Sequence, residues 1–98
     1  MKIEDLKDKQ GKVDIDVKII WDQLAPKPLP DGKLCQTVLV ANADSEKGDG
    51  SPTAYLDIYA NDIGKFKQFD KVRITNSFIK QKKNGQFWIT CAHKIEKI

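Results

Sequence analysis

Val13, Ile15, Val17 and Ile19 occupy every second position of the stretch Lys12 to Trp21, with Asp14, Asp16 and Lys18 between them. Alternate residues of an extended chain point to opposite faces, so this spacing makes a strand with one apolar and one polar side. The same period returns in Thr53 to Ala60, where Leu56 and Ile58 alternate with Tyr55, Asp57 and Tyr59. It returns again in Lys71 to Ile79, where Val72 and Ile74 alternate with Arg73 and Thr75. Lys33 to Ala41 (KLCQTVLVA) reads as a further strand from its β-branched content.

The segments between these runs are connectors. Ala25 to Gly32 (APKPLPDG) holds three prolines and a closing Asp-Gly, which predicts a loop outside any sheet. Asn42 to Pro52 (NADSEKGDGSP) is polar, acidic and glycine-containing, and reads as a second loop. Asn61 is placed to cap a short helical turn through Asp62, Ile63, Lys65 and Phe66, which Gly64 keeps short. Gln81 to Gly85 (QKKNG) ends in Asn-Gly, a strong hairpin signal, and returns the chain as a fifth strand, Gln86 to Ala92. The tail from His93 to Ile98 is expected to continue that strand or to pack beside it.

Five strands, a small helical element between the third and fourth, and a tight fourth-to-fifth hairpin match an all-β OB-fold. That fold is a five-stranded Greek-key barrel whose second and third strands, with adjoining loops, form a common binding face. An SH3-like barrel shares the strand count; the position of the helical element favours the OB arrangement. With 98 residues, 40% of them hydrophobic, the chain is expected to form one domain over 1–98 with a single modest core.

Charge is divided unevenly along the chain. Up to Gly64 there are 8 basic and 12 acidic residues, and beyond it 9 basic and 2 acidic, giving −4 and +7 within a total of +3. In the basic half Lys65, Lys67, Lys71, Arg73, Lys80, Lys82 and Lys83 are interleaved with Phe66, Phe69, Phe78, Phe87 and Trp88. Phosphates respond to such a local field and not to the net charge, so nucleic acid is the partner this segregation suggests.

No apolar run approaches the ~20 residues of a membrane span, and no membrane association is expected. The polar, acid-containing start MKIEDLKDKQGK is unlike a signal or transit peptide, which leads to the expectation of an intracellular, cytoplasmic protein, or a nuclear one in a eukaryote. Cys35 and Cys91 are then expected to be buried thiols and not a disulfide. Cys91 and His93 form a C-x-H pair, but four closely spaced zinc ligands are lacking, so no metal and no cofactor is expected.

From IEDLK near the start, through DGKLCQTVLVA, to YLDIYANDIGKFKQFDKVRITNSF and NGQFWIT, the chain resembles the single-stranded DNA-binding OB domains of archaeal single-strand-binding proteins and of their relatives in replication protein A and the SOSS complex. Tyr59 stands at the aromatic position ending the third strand, where many relatives carry Trp; FDKVRIT resembles the entry to the fourth strand; Phe78 fills the next aromatic position. The resemblance implies base stacking by Tyr59 and Phe78. It also implies a role in DNA replication, recombination or repair through single-stranded DNA of low sequence specificity. RNA or tRNA binding, and an OB domain that docks another replication or repair protein, remain the alternatives.

Such binders need a positive track and flat side chains on which bases stack. If Leu56 and Ile58 point inward, Tyr55 and Tyr59 point out; pairing Phe87 with Ile89 in the core leaves Trp88 outward. Lys80, Lys82 and Lys83 lie on the loop between the fourth and fifth strands, Arg73 faces out from the fourth, and Lys27 and Lys33 extend the track from the proline-rich loop. Against this, Tyr59 and Trp88 are large enough to close the barrel ends, and the lysines read equally as a solvated charge run. Phe66 and Phe69 are expected to plug the barrel bottom, and Trp21 is in phase with the core face of its strand. Phe78 stands near a possible bulge, where alternation stops being a guide.

No enzymatic activity is expected. Asp14 and Asp16 share a strand face without an acid or nucleophile beside them, His93 is the sole histidine and is expected to be buried, and there is no glycine-rich phosphate loop.

Overall fold

A computed structural model describes residues 1–21, 25–45 and 52–98. The chain forms β1 (Val13–Trp21), β2 (Lys27–Pro28), β3 (Leu34–Asn42), β4 (Thr53–Tyr59), β5 (Lys71–Gln81), β6 (Phe87–Thr90) and β7 (Lys94–Lys97), with 3-10 turns at Ile3–Asp5 and Ala60–Asp62. Strands neighbour one another in the order β1-β3-β4-β6-β5, and β5 returns to β1, so the sheet closes into a five-stranded barrel. All pairs in the ring are antiparallel except β4 with β6, which is parallel. This is the all-β OB arrangement expected from the sequence.

The inner faces carry the alternation. Val13, Ile15, Val17 and Ile19 of β1, Leu56 and Ile58 of β4 and Val72 and Ile74 of β5 are all buried, together with Val38, Val40, Ala54, Ile79 and Ile89. Each such Val, Leu or Ile stabilises the barrel by roughly 1.5–3 kcal/mol relative to exposure. Ile3 and Leu6 of the N-terminal segment join this core. The turn carrying Ile3 is held by Asn42, whose side-chain oxygen accepts from the Ile3 amide at 2.8 Å while its amide nitrogen donates to Glu4 at 3.0 Å.

Two bulges interrupt the alternation. On β1, Ile19 pairs with Val40 but Trp21 pairs with Leu39, which leaves Ile20 as an extra residue. On β5, Ile15 pairs with Ile74 but Val13 pairs with Ser77, and Asn76 takes a left-handed φ of 54° with its amide donating to Asp14 at 2.7 Å. Each extra residue reverses which side of the sheet the following side chains face.

Several expectations are corrected here. Trp21 is 40% exposed because the β1 bulge turns it out of phase with Ile19. Phe69 is 44% exposed on a turn with φ of 73° and lies outside the core cluster, whereas Phe66 is half-buried against the core. His93 and Cys91 are exposed, because the chain breaks out of β6 at Cys91, where φ is 54°, and Cys35 on β3 is half-buried. Asn61 lies inside the Ala60–Asp62 turn and not before it, and that turn has no side-chain cap.

The proline-rich segment does reach the sheet, as the two-residue edge strand β2, where Lys27 pairs with Cys35 and Pro28 with Leu34. An edge position tolerates the missing proline donor. The tail forms β7, which lies beside the first half of β5 with Ile95 opposite Ile74. The acidic-loop expectation falls for residues 46–51 outside the described residues; before them β3 runs on to Asn42, with a turn through Ala43 and Asp44. Among the described residues no helix is long and apolar enough to cross a membrane.

Candidate functional site

The outer side of β3, β4 and β6 is a polar and aromatic face. Because Val38, Val40, Leu56, Ile58 and Ile89 are buried inward, the intervening Thr37, Leu39, Tyr55, Asp57 and Trp88 are directed outward, while Thr90, in the same phase, is buried beside Tyr59. A groove of about 940 Å³ crosses this face. Cys35, Thr37, Tyr55, Asp57 and Trp88 form its floor, Ala25, Lys27, Pro28 and Leu29 one wall, and Lys82 and Asn84 the other.

Both walls are built from local sequence. Lys27 and Pro28 are held beside β3 by the β2 pairing, and the loop beyond them is closed by the Leu29 amide donating to the Lys33 carbonyl at 2.7 Å. Asp31 accepts from the Lys33 amide at 3.0 Å, and Gly32 supplies a φ of 86° that few other residues adopt. On the other side, Lys82 and Gln86 close a three-residue turn, with the Lys82 amide donating to Gln86 and the Gly85 amide donating back to Lys82, both at 2.9 Å. Gly85, at φ of 87°, is the left-handed residue of this bulged hairpin.

The floor is centred on an aromatic pair. Tyr55 and Trp88 are register partners across the parallel β4–β6 seam, with ring centroids 4.7 Å apart and planes tilted by 32°. The Lys82 ammonium lies 5.3 Å from the Trp88 ring centroid, within cation–π range. Lys80 is the partner of Trp88 across β5–β6 and is exposed. Beside the pair the Thr37 hydroxyl donates to Asp57 at 2.9 Å, placing a carboxylate in an otherwise cationic groove. Burial, reinforced by the charge of Asp57, pushes the Cys35 thiol up to about 11, so it stays protonated at neutral pH.

The structure brings together Tyr55, Trp88 and Lys82 from the expected set, with Lys80 next to Trp88. Lys83 is exposed on the hairpin and Lys33 at the foot of the opposite loop, each adjacent to a wall and not in it. Tyr59 is half-buried, and its hydroxyl is 2.6 Å from Thr90 Oγ1, so it ties β4 to β6. Burial raises its pKa above that of an ordinary tyrosine. Phe78, turned outward by the β5 bulge, is half-buried opposite Thr90, next to Gly11, where a β-carbon would sit 3.8 Å from the ring.

Arg73 is not part of the groove. It faces out beside β1, where its guanidinium donates twice to Asp16, at 2.9 and 3.1 Å. This hydrogen bonding holds the Asp16 carboxyl below the usual carboxylate range. Of the groove residues, Cys35, Thr37, Leu29 and Asn84 carry no composition signal; the outward phase of Asp57 was readable, but only the β3–β4 register shows that it meets Thr37. Among the described residues there is no group of three or more His, Cys, Asp and Glu side chains arranged to hold a metal ion. The chain matches no protein-family model and no curated protein.

Proposed function

We propose that the protein binds single-stranded nucleic acid, with DNA as the main ligand and little sequence preference, along the groove between β2 and the β5–β6 hairpin. The Tyr55–Trp88 pair with the Lys82 ammonium over the Trp88 ring carries this reading, because it sets two packed aromatic rings and a cation together on the floor of an open groove. A stacked base is recognised by its π face, which every base has, and phosphates by lysine charge alone; neither reads sequence. Such a ligand suits a protein of replication, recombination or repair. A duplex offers no free base faces and meets the groove only through its phosphates.

The test is a fluorescence titration with oligo-dT, oligo-dU, oligo-U and a duplex at several salt concentrations. Lys27, Lys33, Lys80, Lys82 and Lys83 line or flank the groove. If three to five of them meet phosphates, log K falls against log salt with a slope of about −2 to −3.5. Trp88→Ala weakens oligo-dT binding by about 1–3 kcal/mol without unfolding the barrel. Equal binding of duplex and single strand, or a flat salt dependence, defeats the proposal. Tighter binding of oligo-U than of oligo-dU shifts it to RNA, and no binding at low salt shifts it to a protein ligand.

A further inference from the structure

The register pairs of four strand junctions share one line. Trp21 of β1 pairs with Leu39 of β3, Leu39 with Tyr55 of β4, Tyr55 with Trp88 of β6, and Trp88 with Lys80 of β5. Leu39 lies between the buried Val38 and Val40 and so belongs to the outer side, and Trp21 opposite it is 40% exposed. The row therefore runs across the strands on the barrel's outer surface, with a tryptophan near each end and a lysine beyond the second.

Trp21 is in this row only because of the β1 bulge. With uninterrupted pairing it would follow Val13, Ile15, Val17 and Ile19 into the core. The bulge is held in place by Gln68, whose side-chain amide donates to the Ile20 carbonyl at 2.9 Å. A tryptophan in a core position would bury far more apolar surface, so the extra residue re-aims a side chain at a cost in burial. Re-aimed, it meets the same face as the Tyr55–Trp88 platform.

We infer that Trp21 is a second stacking platform for the same single strand, which crosses the sheet along this row from the Trp88 end to the Trp21 end. The inference rests on the proposed function. A single strand is the occupant because the row is continuous with the groove and its far end is flanked by Lys80 and Lys82. Three neighbour spacings of about 4.8 Å separate Trp21 from Trp88, roughly 14 Å along the sheet. A dinucleotide reaches one platform only, and an octamer spans both.

The two tryptophans make the test direct, since Trp88→Phe leaves Trp21 as the sole indole and Trp21→Phe leaves Trp88, each replacement keeping an aromatic ring. Each variant is titrated with thymidine di- and octanucleotides. Octanucleotide is expected to quench both indoles with the same half-saturation, and dinucleotide only Trp88. Trp21→Ala is expected to weaken octanucleotide binding at least about five-fold and to leave dinucleotide binding as it was. Quenching of Trp88 without Trp21, or a smaller loss in Trp21→Ala, overturns this inference and leaves the proposed function standing. No binding to either variant overturns both.

Discussion

At the scale of single residues, the groove sorts chemically equal side chains by surroundings. Cys35 and Cys91 illustrate this. Cys35 lies on the groove floor with its thiol pushed up to about 11, whereas Cys91 is exposed on the outward break after β6. The thiolate is the reacting species, so Cys35, whose thiol is still protonated at pH 8, reacts slowly there. A disulfide reagent at pH 8 should label one thiol quickly and the other far more slowly, and Cys91→Ser should remove the fast phase. Bound oligo-dT should slow the Cys35 phase further; equal rates with and without oligonucleotide would place the ligand elsewhere.

Elements were legible in the sequence wherever the apolar period stayed unbroken, and illegible where one residue was added. Val13 to Ile19, Leu56 with Ile58 and Val72 with Ile74 all face the core as their alternation required. Trp21 and Phe78 lie beyond bulges, and a bulge leaves no mark in hydrophobic periodicity except the phase change itself. The walls were half legible: Asn84-Gly85 announced a hairpin, but the prolines hid the β2 pairing that brings Lys27 over the groove. Arg73 pointed outward as expected, yet outward on a barrel includes a side where Asp16 waits.

The β5 bulge depends on Asn76 accepting a left-handed backbone, which asparagine tolerates and β-branched residues resist. Asn76→Val should lower unfolding stability in urea by about 1–3 kcal/mol, while Asn76→Gly should be nearly neutral. If valine is tolerated as well as glycine, the bulge is not set by that residue.

The whole molecule is a closed ring with charge laid out unevenly around it. The β1 side carries Asp14 and Asp16 with Arg73 neutralised among them, and the β5–β6 hairpin carries Lys80, Lys82 and Lys83. The two sides are joined through a seam that has its own consequence in time. β4 and β6 are parallel, so no hairpin can bring Tyr55 to Trp88; the chain must first pass through β5 and turn back. Long-range pairing of this kind forms slowly relative to local turns. On refolding from denaturant, Trp88 fluorescence of Trp21→Phe should recover in step with oligo-dT binding and not ahead of it. During synthesis the same order holds: until the ribosome has released the chain past Thr90, Tyr55 has no Trp88 ring to pack against, and the floor of the groove is incomplete.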